Sequence, residues 1–335
     1  MSLGPEASIY DEATTPTADA AEERDRGEKA IAGRSLKQIA WRRLKKDKVA
    51  LGGAAVVIFL IVIAILAPVL TRLWGHPIDE YHVDQIDPTL STPLGRLGGI
   101  SRQFLLGVEP TSGRDIFSRI LYGAQTSLTV AFLSALVSTV IGTVLGLAAG
   151  FLGGWVDAVI SRIMDFLLAF PQLLFAIALV SVLPDTFLGL GGRWSRVLVL
   201  VGIIGFFGWP YIGRIVRGQT LSLREREFVE ASRSMGAHSR RILFRELLPN
   251  LAAPILVYAT LIIPTNILTE AALSFLGVGI PPPNPSWGGM LSDAVTFYSI
   301  DPMYMIIPGG MIFITVLAFN LFGDGLRDAL DPKAR

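Results

Sequence analysis

The chain has 335 residues, 51% of them hydrophobic and 17% charged, with a mean hydropathy of +0.53. That excess of apolar residues excludes an ordinary soluble domain and points to an integral membrane protein. A net charge of +1 gives nucleic acid no basis for binding. The absence of cysteine rules out disulfides, Cys-bound zinc and iron-sulfur ligation. The sequence contains no G-x-x-x-x-G-K-[ST], H-E-x-x-H or G-x-S-x-G motif, and of its three histidines His238 lies far in sequence from His76 and His82. No catalytic constellation is evident.

Residues 1–33, rich in Ala, Glu, Asp, Thr and Gly without apolar periodicity, are expected to form a disordered cytosolic tail. Residues 34–48 turn basic and partly amphipathic, with Leu36, Ile39, Ala40 and Leu44 on one side, as in an interfacial helix. Residues 49–70 are 22 uncharged positions, long enough for a first span. A polar, Pro- and Gly-broken segment follows to about Arg119 and is expected as a loop on the far side. Asp115 within it is expected to pair with Arg114 or Arg119, with a metal or substrate site as the alternative.

Span two is predicted over residues 126–150, where Gly142, Gly146 and Gly150 share one helix face and invite close helix packing. Asp157, Arg162 and Asp165 mark a brief cytosolic connection. Span three is expected over 163–183, with Asp165 paired to Arg162 and a kink at Phe170-Pro171. Span four covers 197–213, span five 251–269 with Pro254 and Pro264 inside it, and span six 303–322. Glu270 is a lone carboxylate in an apolar run, and with Asn266 it is a candidate for the translocation path or gate.

Between spans four and five lies a densely charged segment, residues 224–249. Two short helices are predicted there. The first ends at Gly236; the second is capped by Ser239 and stopped by Pro249. Phe228, Ala231 and Met235 recur at helical spacing in the first, and Ile242, Leu243, Leu247 and Leu248 in the second. The expected cytosolic segments hold 10, 1, 8 and 3 Lys and Arg against 5, 2 and 0 in the far-side segments. Both termini are therefore expected in the cytosol.

Glu230-Ala231-Ser232, three residues, Gly236, nine residues and then Glu246-Leu247-Leu248-Pro249 resemble the E-A-A…G…I-x-L-P signature of bacterial ABC-transporter permeases. Ser232 and Glu246 depart from that pattern. Gly113-Arg114-Asp115 through Tyr122-Gly123-Ala124, Glu270-Ala271-Ala272-Leu273-Ser274-Phe275 through Trp287-Gly288, and Gly323-Asp324-Gly325-Leu326-Arg327-Asp328 resemble the dipeptide/oligopeptide branch, C-type subunit; Glu109 and Pro110 depart from it.

The resemblance implies an all-α integral membrane protein of six transmembrane helices with the type I ABC importer permease fold and cytosolic coupling helices. It also implies an N-terminal unit over 34–120, a core permease domain over 121–323 and a cytosolic tail over 324–335. Glu230, Ala231, Ser232, Gly236, Leu248 and Pro249 would then form the ATPase-coupling loop. The partners implied are a second permease subunit, two ATP-binding subunits that hold the ATP and Mg, an extracytoplasmic substrate-binding protein and the bilayer of the bacterial plasma membrane. No cofactor is implied on this chain. Peptides are the expected solute, with nickel or another small solute as the alternative; an ion-driven carrier working through Asp165 or Glu270 is the reading from another class.

Overall fold

A computed structural model describes residues 41–331 apart from 96, 184, 185, 187, 188 and 190. The tail expected over 1–33, the start of the interfacial helix and the last residues of the C-terminal tail lie outside the described residues. Residues 41–44 are helical, and Asp47 then caps α1 (Lys48–Trp74), its carboxylate accepting from the Val49 and Ala50 amides at 2.9 and 3.0 Å. The remaining helices are α2 (Ile116–Leu152), α3 (Gly154–Ala169), α4 (Gln172–Val182), α5 (Gly192–Leu223), α6 (Glu227–Ser234), α7 (Ser239–Arg241), α8 (Leu248–Phe275), α9 (Trp287–Ala294) and α10 (Met303–Leu330).

Five helices among the described residues are long and apolar enough to cross a bilayer, and α3 with α4 makes a sixth crossing if the bent pair is one span. The bend is 83°, so Phe170-Pro171 breaks the expected span three instead of kinking it. Pro171 stands at the N-cap of α4, where its missing amide costs nothing, and its ring steers Phe170 to extended backbone.

Helix α5 is the centre of the bundle, 67% buried over its apolar window, whereas α1 and α10 are only 28% buried and lie at the rim. Their outward residues, among them Ile58, Phe59, Ile65 and Phe313, are large, apolar and exposed. A surface of that kind suits hydrocarbon and no other solvent.

The glycine stripe of α2 does what its spacing predicts. A Cβ at Gly142 would come within 2.7 Å of the Trp209 carbonyl on α5, one at Gly146 within 2.6 Å of the Gly213 carbonyl, and one at Gly150 within 2.6 Å of the Thr220 Cβ. Backbones therefore meet directly along α2 and α5, and the Ser138 hydroxyl donates across to the Gly205 carbonyl at 2.9 Å. Gly146→Leu is expected to lower stability by about 1–3 kcal/mol through overpacking, read as a drop in the detergent melting temperature. An unchanged melt would mean that the two helices do not pack this closely.

The expected far-side loop is a small folded layer with its own core of Ile86, Phe104 and Val108, closed by isolated bridges between Ile86 and Pro93 and between Val108 and Asp115. It lies over one end of the bundle together with α9. The 224–249 segment occupies the other end, and we call these the capped and the basic ends.

Candidate functional site

Helix α5 runs past the expected limit of span four to Leu223, and a short turn leads into α6. α6 is amphipathic at the scale of one residue. Val229 is buried in one cluster with Leu147, Ile212, Val216, Ile242, Leu247 and Leu251, and Ser232 is buried too, so α2, α5 and α8 together make a seat for α6. Glu230 and Ala231 face outward, as do Phe228 and Met235, the latter 80% exposed. The predicted ridge of Phe228, Ala231 and Met235 is therefore presented outward. Val229, which the sequence reading passed over, is the anchor.

Gly236 ends α6 at φ +77 with a complete Schellman motif: its own amide donates to the Arg233 carbonyl at 2.9 Å and the Ala237 amide to the Ser232 carbonyl at 3.0 Å. A side chain at Gly236 would meet open space, so only backbone conformation demands glycine there.

The second helix differs from expectation. Ser239 is its first residue and His238 the N-cap, without a side-chain bond. The helix does not stop at Pro249. It passes through a π segment, Ile242–Leu247, straight into α8, and residues Ser239–Phe275 form one continuous helix. Pro249 stands two residues past the π segment, whose widened turn absorbs the missing amide and the ring. Motion of this limb is thus carried directly into span five. Pro249 is exposed, and Leu248 is half-buried against the seat.

Asp165 pairs with Arg214 on α5, not with Arg162, because the break at Phe170-Pro171 lays α3 along the basic end of α5.

At the capped end, the Asp115 carboxylate makes no bond to the side chain of Arg114 or Arg119. It caps α2, accepting from the Phe117 amide at 3.1 Å and the Ser118 hydroxyl at 2.8 Å, and also from the His76 amide at 3.1 Å. Among the described residues no group of three His, Asp or Glu is placed to hold a metal.

Glu109 takes both arginines instead. It is 1% exposed and accepts from Arg119 Nε, from Arg114 Nε at 2.7 Å, from the Tyr304 hydroxyl at 3.1 Å and from the Ser112 hydroxyl at 3.1 Å. Arg119 also donates to the Pro283 carbonyl at 3.0 Å. One carboxylate therefore ties the outer layer to α2, α10 and the segment before α9. Burial, helped by the Glu109 charge, pushes the neighbouring Asp293 carboxyl above its usual range.

Glu270 and Asn266 both lie on α8 and are buried within the chain, at 0% and 3% exposure. Asn266 donates to the Ala131 carbonyl of α2 at 3.3 Å. Glu270 accepts from the Ser274 hydroxyl at 2.7 Å, with the hydroxyls of Ser127 and Ser286 beside it. Trp287, at the start of α9, locks the same corner by donating to the Ile120 carbonyl at 3.2 Å.

The family model for the binding-protein-dependent transport system inner membrane component matches residues 142–335, and the N-terminal TM domain of oligopeptide transport permease C matches residues 35–93. The dipeptide transport system permease protein DppC of Alkalihalophilus pseudofirmus is 43% identical over 88% of this chain and 90% of that protein. The glutathione transport system permease protein GsiD of Shigella flexneri is 45% identical over the same shares. Among solved structures, an inward-facing conformation of the MetNI methionine ABC transporter matches with a TM-score of 0.51 at 21% identity, over 64% of this chain and 98% of that one, and so shares the fold. The chain belongs to the binding-protein-dependent transport system inner membrane components, as an ABC-importer permease of the peptide-type branch.

Proposed function

We propose that this permease imports di- or oligopeptides across the bacterial plasma membrane, with both termini in the cytosol, as the non-catalytic half of a pair of permease subunits. Two ATP-binding subunits carry the ATP and Mg and dock on the 224–249 segment, and a substrate-binding protein delivers solute at the capped end. The observation that carries this reading is the outward presentation of Glu230, Ala231, Gly236 and Pro249 on a seat continuous with α5 and α8. A separate motor can grip that surface and move two spans at once. The basic residues concentrated at this end favour the cytosolic side.

Asn266 and Glu270 act at the gate: Asn266 holds α8 to α2 in this conformation, Glu270 is buried one turn further along α8 with its bond to Ser274 inside that helix, and the Asn266 bond must exchange when the capped end opens.

The test is uptake of labelled dialanine into proteoliposomes holding the full assembly. Expected is uptake that needs ATP on the side of the 224–249 segment and that Glu270→Gln leaves indifferent to collapse of the proton gradient. Uptake driven by an ion gradient without ATP would reject the proposal, and nickel transported in place of dialanine would reject its substrate.

A further inference from the structure

Three arginines that leave the end of α5 and α6 all reach back to one corner, the turn between α2 and α3. Arg217 grips Asp157 with two nitrogens, Nη2 to Oδ2 at 2.7 Å and Nε to Oδ1. Arg224 donates to the Gly150 carbonyl at 3.0 Å, and the Arg233 guanidinium lies over the Phe151 ring at 5.6 Å. The corner itself is weak. Gly153 and Gly154 both adopt left-handed backbone, at φ +67 and +56, and a Cβ at Gly154 would touch nothing. Beyond the arginines the corner is oriented by the glycine contact at Gly150, by the Asp165–Arg214 pair further along α3 and by Met164 packed near Gly213 of α5.

A bidentate guanidinium-carboxylate pair fixes direction as well as distance. Arg217 and Asp157 are both half-buried, so separating them leaves the guanidinium without its carboxylate and Asp157 with only the Ser161 hydroxyl at 3.1 Å. Displacement of α6 is thus passed to the α2–α3 corner and on to the bent α3–α4 pair, which has no continuous helix connecting it to the segment.

We propose that Arg217 and Asp157, backed by Arg224, are positioning residues that transmit movement of the 224–249 segment to the α3–α4 pair. This rests on the reading of that segment as the docking surface for the ATP-binding subunits. Loss of the clamp leaves docking and hydrolysis in place while the bent pair no longer follows, which separates fuel use from transport.

The test is the number of labelled dialanine molecules imported per ATP hydrolysed by the reconstituted full transporter. Asp157→Asn and Arg217→Gln, both outside the 224–249 segment, are compared with the exchanged pair Asp157→Arg/Arg217→Asp. The expected result is retained hydrolysis with the transport ratio down about tenfold in the two single variants, in the range of a typical coupling free energy, and partly restored in the exchanged pair. A ratio equal to that of the unaltered protein in both single variants, including variants in which hydrolysis and uptake fall together through poor folding, overturns the clamp. If the unaltered protein imports dialanine without hydrolysing ATP, the docking reading fails first and the clamp falls with it.

Discussion

Gly236→Val is expected to cut ATP-driven uptake by at least about tenfold while the chain still inserts in the membrane. Only conformation is at stake, since a Cβ at this position would meet nothing within 4 Å. An L-residue held in left-handed backbone costs about 1–2 kcal/mol, and a β-branched one is a worse fit. Every 1.4 kcal/mol shifts an equilibrium about tenfold. The strain is relieved when the Schellman turn opens, which releases the Arg233 and Ser232 carbonyls and lifts Val229 off its seat, turning the outward Glu230 and Ala231 with it. Gly236→Asn should keep most of the activity, because asparagine tolerates this conformation. Uptake by the valine variant close to that of the unaltered protein would show that the geometry of the turn does not matter to the motor.

Glu109→Ala has the largest expected effect on stability, a loss of about 3–5 kcal/mol. Arg119 is 3% exposed, and without Glu109 its charge is buried with only the Pro283 carbonyl to bond. The Tyr304 hydroxyl loses its acceptor as well. Glu109→Gln keeps an acceptor and should cost less, about 1–3 kcal/mol. The check is denaturant or thermal unfolding in detergent, followed by a fluorophore on the outer layer. A loss below about 1 kcal/mol for Glu109→Ala, the value of an exposed pair, would mean the cluster is solvated.

The spans were legible because composition writes them directly: hydrocarbon demands about 20 apolar residues per crossing, and nothing else in the chain imitates that. The glycine stripe of α2 was legible for a related reason. Its four-residue spacing is a backbone-contact pattern, and the Trp209, Gly213 and Thr220 neighbours supply that contact.

Partner choice was not legible. Asp115 stands next to Arg114 in sequence, yet helix capping takes its carboxylate, and both arginines turn to Glu109, which sequence reading had noted only as a departure from a pattern. Short-range rules read neighbours, whereas a buried charge selects whichever partner the fold brings to it. The same limit applies to Asp165, whose partner Arg214 is 49 positions away.

Proline was the other source of error. Pro171 breaks a span and Pro249 breaks nothing, although each is preceded by an apolar residue in an apolar run. The difference is in the turn before each: at Pro171 the chain turns through 83°, while the π segment before Pro249 widens the helix enough to take a proline without a break. In the 224–249 segment the Gly236 cap marks the end of the first helix, while its start at Glu227 falls three residues after the expected Arg224, because a turn follows α5. The second was cut short because a π segment leaves no sequence mark that a helix continues.

The central claim is that a separate ATP-binding subunit grips residues 224–249 from the cytosol. Because the chain has no native cysteine, a single Ala231→Cys gives a clean probe. The decisive measurement is its labelling by a membrane-impermeant maleimide in sealed vesicles of both orientations, with and without the ATP-binding subunits. The account predicts reaction from the cytosolic side alone and protection when those subunits are bound; reaction from the outer side, or equal reaction with the subunits bound, would contradict it.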